Sequence, residues 1–214
     1  MSNSGTDATP GRVDGLLASP PAALSFTRAL KIHAFRLSRP SGDLLVYAAG
    51  GWPGSEAVAA RRYLGHWHEA AEGGEPDATS VRIHAADAAE ARTHRAVDET
   101  FAGPLTDGHD FQAIPMPGHT PGSTAFLWHA GAHRVLFTAD TIYPRDDGVW
   151  RAAVLDTSDR AAVAASLERL AELEFDVLAP WVSVAGAEPT VHIDPAEGRT
   201  RLLEAAERVR SGGS

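Results

Sequence analysis

Residues 115–123 read Pro-Met-Pro-Gly-His-Thr-Pro-Gly-Ser, a segment dominated by proline and glycine. An apolar, strand-like run at 111–114 precedes this segment, and a second run at 124–128 follows it. Proline and glycine fix the backbone of a tight turn, and His119 lies at its tip. A rigid turn between two buried strands is typical of a side chain held for binding or catalysis. The alternative interpretation is a proline-rich connector in which the histidine is incidental.

Two further motifs accompany this turn, one upstream and one downstream. Residues 66–71 read His-Trp-His-Glu-Ala-Ala, and residues 136–141 read Leu-Phe-Thr-Ala-Asp-Thr. Together with the turn they resemble the metallo-β-lactamase superfamily, in which an HxHxDH loop, a turn histidine and a later aspartate bind metal. The resemblance extends from about residue 28 to residue 195. It implies an α+β fold, the metallo-β-lactamase-like αββα four-layer sandwich, with the metal-binding loops gathered at one edge of two sheets.

Four residues form the candidate site. His66 and His68 are two residues apart in a loop, so both imidazoles can reach one ion, and His119 would complete a three-histidine site. Such a site with an open fourth position is typical of catalytic zinc, which lowers the pKa of bound water to about 7. Asp140, at the end of an apolar strand, can add a carboxylate or orient the water. By resemblance, the three histidines match the first metal site of the family, and Asp140 matches its bridging carboxylate.

The family's second metal site is incomplete in this sequence. The HxHxDH pattern would place an aspartate at Ala70 and a histidine at Ala71, and a methyl group cannot bind metal. The family's last histidine corresponds to Val182. Glu69 is expected to point about 100° away from the missing aspartate on a helix start, and His192 is expected to be structural. We therefore predict at most one metal ion, with zinc as the first choice and iron or no metal as alternatives.

Two enzymatic functions are compatible with this ligand set. The first is a hydrolase in which one metal activates water against an ester, thioester or amide, with Asp140 as a catalytic residue. The second is a mononuclear iron enzyme similar to the persulfide dioxygenases of the superfamily. It would use His66, His119 and Asp140 and leave His68 as a bystander.

A third possible function is that of a non-catalytic protein with a vestigial site. In that case the three histidines should not converge, and Trp67, Trp181 or Val182 should fill the edge of the pocket. Either enzyme hypothesis instead predicts that the imidazoles and Asp140 lie within a few ångströms of one point.

Composition narrows the partners of the protein. The 214 residues carry a net charge of −9, which argues against nucleic acid and against an acidic membrane surface. The chain has no cysteine, so any metal must be held by imidazole and carboxylate. The first 20 residues lack the pattern of a signal peptide, so a cytoplasmic protein is expected. A small molecule is the expected substrate.

Residues 1–22 are rich in serine, glycine, aspartate and proline, which predicts a flexible N-terminal arm before a single domain at 23–211. A first strand is predicted at 30–37 and a second at 44–49. The second strand ends Ala48-Ala49-Gly50-Gly51, where relatives have a turn that contains aspartate. Asp194 and Pro195 predict the start of a terminal helix.

Overall fold

The computed structural model describes residues 12–49, 61–72 and 80–214. The helices are α1 (His68–Glu72), α2 (Ala88–Ala91), α3 (Arg160–Leu170) and α4 (Pro195–Arg210). The strands are β1 (Leu16–Ala18), β2 (Ala22–Leu24), β3 (Thr27–Ile32), β4 (Phe35–Leu37), β5 (Leu44–Val46), β6 (Arg61–Tyr63), β7 (Ser80–His84), β8 (Glu99–Phe101), β9 (Leu105–Asp107), β10 (Phe111–Pro115), β11 (Thr124–Ala130), β12 (His133–Phe137), β13 (Tyr143–Pro144), β14 (Trp150–Arg151), β15 (Val177–Ala179), β16 (Val182–Val184) and β17 (Val191–His192).

Within these ranges, most strands belong to two mixed sheets. The first sheet has the order β1-β4-β5-β6-β7-β8, and the second has the order β17-β15-β12-β11-β10-β9. Adjacent strands within the run from β5 to β8 pair in parallel, whereas adjacent strands within the run from β9 to β12 pair antiparallel. A small sheet, β16-β3-β2, and the ribbon β13-β14 complete the strand pairing.

Aromatic side chains fill the space between the two large sheets. The rings of Phe35 and Phe137 lie 5.5 Å apart across this layer, and those of Tyr63 and Phe126 lie 5.7 Å apart. The strands alternate their side chains, so that Phe126 faces this inner core while Leu127 faces the opposite side. Full burial of each such ring contributes roughly 1.5–3 kcal/mol to folding.

Helices cover both outer faces. Helices α3 and α4 pack on the second sheet, where Leu167 and Leu202 join Leu136 in one apolar cluster. Helices α1 and α2 cover the first sheet through Ala70 and Ala88. The layers are therefore helix, sheet, sheet and helix, which confirms the predicted αββα sandwich. Among the described residues, no helix has the length and apolar composition needed to cross a membrane.

Two local predictions differ from the observed strands. The strand predicted at 30–37 is two strands, because the chain leaves β3 in the small sheet and enters β4 in the first sheet. Within the predicted flexible arm, β1 pairs with β4 and β2 pairs with β3, so the arm does not extend to residue 22. Residues 1–11 of that arm lie outside the described part of the chain. The predicted start of α4 is confirmed, since the Asp194 carboxylate accepts the backbone N–H groups of Ala196 and Glu197.

The strand directions bring five loops to one edge of the sandwich. Strands β5 and β6 are parallel to each other, and so are β12 and β15. Strand β10 has the same direction as β12, because both are antiparallel to β11. The loops after these five strands contact one another through backbone and side-chain hydrogen bonds. They carry the three motifs that the sequence singled out.

Candidate metal centre

The loop after β6 carries the first two histidines. His66 lies in the loop and His68 begins α1, so the chain turns sharply between them. Gly65 permits this turn, because a Cβ at that position would lie 2.6 Å from the Cβ of Ala139 and 2.8 Å from Oε1 of Glu69. His66 is fully buried, whereas His68 is partly exposed to the adjacent cavity.

The turn between β10 and β11 holds His119. The N–H of Met116 donates to the carbonyl of Ser123 at 2.7 Å and closes the turn. Gly118 has φ 142°, and a Cβ there would lie 2.4 Å from the backbone nitrogen of Val163 in α3. Nδ1 of His119 donates to the carbonyl oxygen of Ala153 at 2.8 Å. This bond fixes the ring and leaves Nε2 as the free acceptor.

The three imidazoles converge on one point. One ligand atom from each of His66, His68 and His119 lies within 4.8 Å of the others. Nδ1 of His68 is 3.1 Å from Nε2 of His119. Such spacing suits one shared ion, since zinc–nitrogen bonds are about 2.0–2.1 Å long.

Asp140 faces the same point from the loop after β12. Its Oδ2 lies 3.7 Å from Nε2 of His66 and 3.7 Å from Nε2 of His119. The preceding residue, Ala139, has φ 48°, a conformation that is strained for alanine. Tyr47 stabilises it, because the Tyr47 hydroxyl accepts the Ala139 N–H at 2.7 Å and donates to the carbonyl of Ala179 at 3.2 Å.

The protonation states of His66 and His68 are those that a metal cation requires of its ligands. Burial lowers the pKa of His66 well below 6.5, and the neighbouring His119 and His68 lower it further. The pKa of His68 falls to about 4, through burial first and then through His119. Both rings are therefore neutral at pH 7, as metal ligands must be. Burial raises the pKa of Asp140 to about 6, and the electrostatic interaction with His119 opposes this rise.

Unpartnered polar atoms test whether these residues fit a metal. Within the described part of the chain, neither ring nitrogen of His66 has a hydrogen-bond partner, and Oδ1 of Asp140 also has none. Leaving such a group buried and unpaired costs about 1–3 kcal/mol. A metal ion between the three imidazoles and Asp140 would remove part of that cost. The residues present therefore fit the metal that the family usually binds.

Glu69 differs from its sequence prediction. Instead of pointing away, its carboxylate is fully buried beside His66, with Oε1 3.8 Å from Nε2 of His66. Oε1 also accepts the N–H of Gly65 at 2.9 Å, because the extra methylene of glutamate lets the carboxylate reach back over the helix start. Burial raises the pKa of Glu69 well above 4.5, although backbone N–H groups oppose this shift. With His66 neutral, this contact is not an ion pair.

Asp87 is a supporting residue that no sequence motif indicated. It follows β7, at the end of the 3₁₀ turn Ala85–Asp87, and it is buried. Its carboxylate accepts hydrogen bonds from the hydroxyl of Thr120 at 2.6 Å, the N–H of Gly122 at 2.7 Å and the N–H of Trp67 at 3.2 Å. Asp87 thus joins the loop of His66 and His68 to the turn of His119.

The positions of the missing ligands remain empty of metal-binding groups. Ala70 packs against the first sheet, and both Ala71 and Val182 line the adjacent cavity. His192 does not replace Val182, because it lies in β17 at the far end of the second sheet, with its ring 5.7 Å from that of His133. His84 caps the 3₁₀ turn through the N–H of Ala86, a structural role.

A cavity of about 530 Å³ opens directly onto the histidine cluster. His68, His119 and Asp140 are among the residues that line it. The wall includes Trp181, whose ring lies 5.2 Å from that of His66 at 81° and whose indole N–H donates to the carbonyl of Ala48 at 2.6 Å. A small molecule in this cavity would therefore contact the cluster.

An αββα sandwich with three convergent imidazoles at one edge of its sheets defines a class of metal-binding folds. The family model described as the metallo-beta-lactamase superfamily matches residues 46–180 of this chain. The protein therefore belongs to the metallo-β-lactamase superfamily, as its sequence motifs suggested. Among curated proteins, no sequence matches it.

Solved structures share the fold at low sequence identity. A metallo-β-lactamase from Pontibacter korlensis is 15% identical with a TM-score of 0.67, over 91% of this chain and 95% of that chain. A metallo-β-lactamase family protein from Thermus thermophilus is 14% identical with a TM-score of 0.61, over 92% and 80%. An N-acyl homoserine lactone hydrolase, with its product bound at the catalytic metal centre, is 16% identical with a TM-score of 0.53, over 73% and 87%.

Proposed function

We propose that this protein is a hydrolase that uses one metal ion, with zinc as the first choice, to cleave an ester, thioester or amide of a small molecule. His66, His68 and His119 would hold the ion, together with Asp140. The supporting observation is the convergence of three imidazoles and one carboxylate beside a cavity. Imidazole is a preferred zinc ligand, and a three-histidine set leaves a position open for catalysis.

Each residue has a separate task in this proposal. When bound, the ion supplies Lewis-acid chemistry, which polarises a carbonyl group and lowers the pKa of water to about 7. Asp140 accepts a hydrogen bond from the attacking water and orients it, because its Oδ1 has no other partner among the described residues. Trp181 holds His66 in place by packing against its ring. The water supplies OH to the acyl carbon and a proton to the leaving alcohol, thiol or amine.

The contacts of His68 favour this function over the persulfide dioxygenase hypothesis. That hypothesis leaves His68 as a bystander, whereas Nδ1 of His68 lies 3.1 Å from Nε2 of His119, inside the cluster. The non-catalytic hypothesis requires histidines that do not converge, and the observed cluster argues against it. The structural similarity to an N-acyl homoserine lactone hydrolase supports ester hydrolysis as the reaction class, because a lactone is a cyclic ester.

Metal analysis tests the proposal directly. Protein purified without chelator or added metal should contain about one zinc per chain. His119→Ala should lose this metal, because it removes the ligand whose ring is fixed by the Ala153 carbonyl. His84→Ala is the matched control and should retain the metal, since His84 only caps a short turn. Unchanged metal content in His119→Ala would refute the assigned site, and iron in place of zinc would favour the dioxygenase.

Hydrolysis is then measured with the metal-loaded protein. A series of p-nitrophenyl esters and acyl thioesters should be turned over, and both chelation and His119→Ala should abolish the turnover. Asp140→Asn should lower kcat by at least about a hundredfold, because it weakens the orientation of water. Metal-loaded protein without turnover of any ester, thioester or amide in the series would contradict the hydrolase.

A further inference from the structure

The loss of the second metal site changes the shape of the cavity. Ala71 and Val182, which stand where relatives carry two of their histidine ligands, both line this cavity. Their small or apolar side chains leave space and present carbon instead of nitrogen. These two side chains therefore contribute to the apolar lining of the cavity.

The walls of the cavity are largely apolar. They come from the β2–β3 hairpin, from α1 and from the loop before α3. Their main apolar side chains are Leu24, Phe26, Leu30, Trp67, Leu155 and Trp181. Phe26 and Leu155 are 77% and 44% exposed, which makes them the two most exposed large apolar side chains among the described residues. Exposed apolar groups at the mouth of a cavity indicate an apolar ligand.

The charged side chains that line the cavity are acidic. Glu72 and Asp140 line it, and no lysine or arginine of the described residues does. Residues 1–11, 50–60 and 73–79 contain no lysine, arginine or histidine, so they offer no cationic side chain either. A carboxylate or phosphate of the substrate would lose its hydration on entering the cavity and would gain no cationic side chain as a partner. This loss raises the free energy of binding.

We infer that the cavity accepts the apolar acyl chain of an uncharged ester or thioester and disfavours an anionic group on that chain. This inference rests on the proposed hydrolase function and names its substrate class. The proposed metal site would be the cationic centre of the cavity, and the walls around it offer no cationic side chain among the described residues.

A binding experiment separates this inference from catalysis. Octanamide and octanoate have the same chain length and differ in charge, so they represent the neutral acyl group and its anionic product. Their binding to the chelated, metal-free protein is measured by calorimetry and by intrinsic tryptophan fluorescence, to which Trp67 and Trp181 in the cavity wall contribute. Octanamide should bind at least about tenfold more tightly than octanoate, and butanamide should bind more weakly than octanamide. Equal binding of octanamide and octanoate, or binding of neither, would overturn the inference.

A substitution at the mouth of the cavity tests whether the preference for octanamide over octanoate arises there. Leu155→Arg adds a cation beside the cavity and should strengthen octanoate binding by at least about fivefold. Leu203→Arg is the matched control, because Leu203 is 39% exposed on α4 and does not line the cavity. If the two substitutions changed octanoate binding equally, the ligand would not bind in this cavity.

The outcomes also separate the two proposals. If octanamide binds but the metal-loaded protein hydrolyses no substrate, the inferred ligand preference of the cavity is supported and the proposed hydrolase function is refuted. Equal hydrolysis of neutral acyl esters and of matched esters with a terminal carboxylate would retain the hydrolase and refute the substrate class.

Discussion

Asp87 connects two loops that are distant in sequence, and this connection decides how precisely the histidines are placed. Its carboxylate accepts hydrogen bonds from Thr120 and Gly122 in one loop and from Trp67 in the other. Trp67 lies between His66 and His68, and Thr120 follows His119 directly. Any shift of Asp87 would therefore move all three imidazoles relative to one another. Groups that orient metal ligands commonly change metal affinity by 10- to 100-fold when they are lost.

Asp87→Asn tests this coupling. The amide cannot accept all three hydrogen bonds, so we expect a loss of about 1.5–3 kcal/mol in the free energy of unfolding of the metal-free protein. We also expect zinc affinity to fall by about tenfold or more. Chemical unfolding and competition with a zinc chelator measure the two effects.

Asp98→Ala, which removes a carboxylate that accepts a backbone N–H, is the control for this substitution. Asp98 accepts the backbone N–H of Val81 at 2.8 Å on the first sheet, away from the histidines. This variant should lose stability without losing zinc affinity. If both variants lost zinc affinity to the same extent, Asp87 would influence zinc binding only by stabilising the fold.

The turn between β10 and β11 depends on contacts with α3 as well as on its own sequence. The N–H of Asp159 donates to the carbonyl of Gly118, and the hydroxyl of Ser166 donates to the carbonyl of Pro117. Helix α3 and its N-cap residue Asp159 therefore pack directly against the backbone of the turn. Gly118 is the point of closest approach.

Gly118→Ala should disturb both the packing and the metal centre. The new Cβ would lie 2.4 Å from the Val163 nitrogen, and alanine is strained at φ 142°. Overpacking and strain together should cost about 3 kcal/mol, or about 6–12 °C in Tm for a chain of this size. Zinc affinity should fall as well, because the turn must move away from α3 and takes His119 with it.

Gly131→Ala is the matched control for the turn. Gly131 also has positive φ, 62°, but a Cβ there would meet nothing within 4 Å. Its cost should stay near 1 kcal/mol, without an effect on zinc. If the two alanine variants lose equal stability, the close approach to α3 is not what requires glycine at position 118.

The elements that could be predicted from sequence are those whose own residues carry the signal. Proline, glycine and apolar runs mark the turn around His119 and its flanking strands, and Asp194 with Pro195 marks the start of α4. No glycine or proline marks the passage from β3 to β4 at His33 and Ala34, so it was interpreted as one strand. The positions of Glu69 and Asp87 depend on side-chain reach and on contacts distant in sequence, which periodicity does not contain.

At the scale of the whole molecule, His33 lies where the chain passes from the small sheet into the first large sheet. The imidazole is buried, and its Nε2 lies 3.0 Å from the hydroxyl of Ser183 in β16. The backbone N–H of His33 donates to the carbonyl of Trp181 at 2.9 Å, close to the metal centre. His33 therefore joins the sheets at the side of the sandwich that carries the site.

Burial lowers the pKa of His33 below its usual value of 6.5, although a hydrogen bond to the Ser19 carbonyl opposes this shift. As the pH falls through about 6.5, the unfolded chain gains a proton before the folded protein does, so folding stability decreases. The contribution of His33 is thus present above pH 6.5 and is lost as the pH falls toward its folded pKa.

His33→Gln should show this dependence as a difference from the wild-type protein. Glutamine keeps a hydrogen-bonding group but does not titrate, so we expect a loss of about 1 kcal/mol at pH 7.5 from imperfect hydrogen bonding. The difference should shrink between pH 7 and pH 5, because only the wild-type protein loses the histidine contribution. Chemical unfolding of both proteins in the presence of chelator measures this, since the titration of the other histidines cancels in the difference.

Ser183→Ala provides the control, because it removes the hydroxyl partner and leaves the imidazole in place. It should lower stability by a similar amount while keeping the wild-type decline toward acidic pH. If His33→Gln and Ser183→Ala show the same pH profile, the buried imidazole does not supply the dependence. A decline that is shallower only in His33→Gln would instead identify this junction between sheets as an acid-sensitive point of the fold.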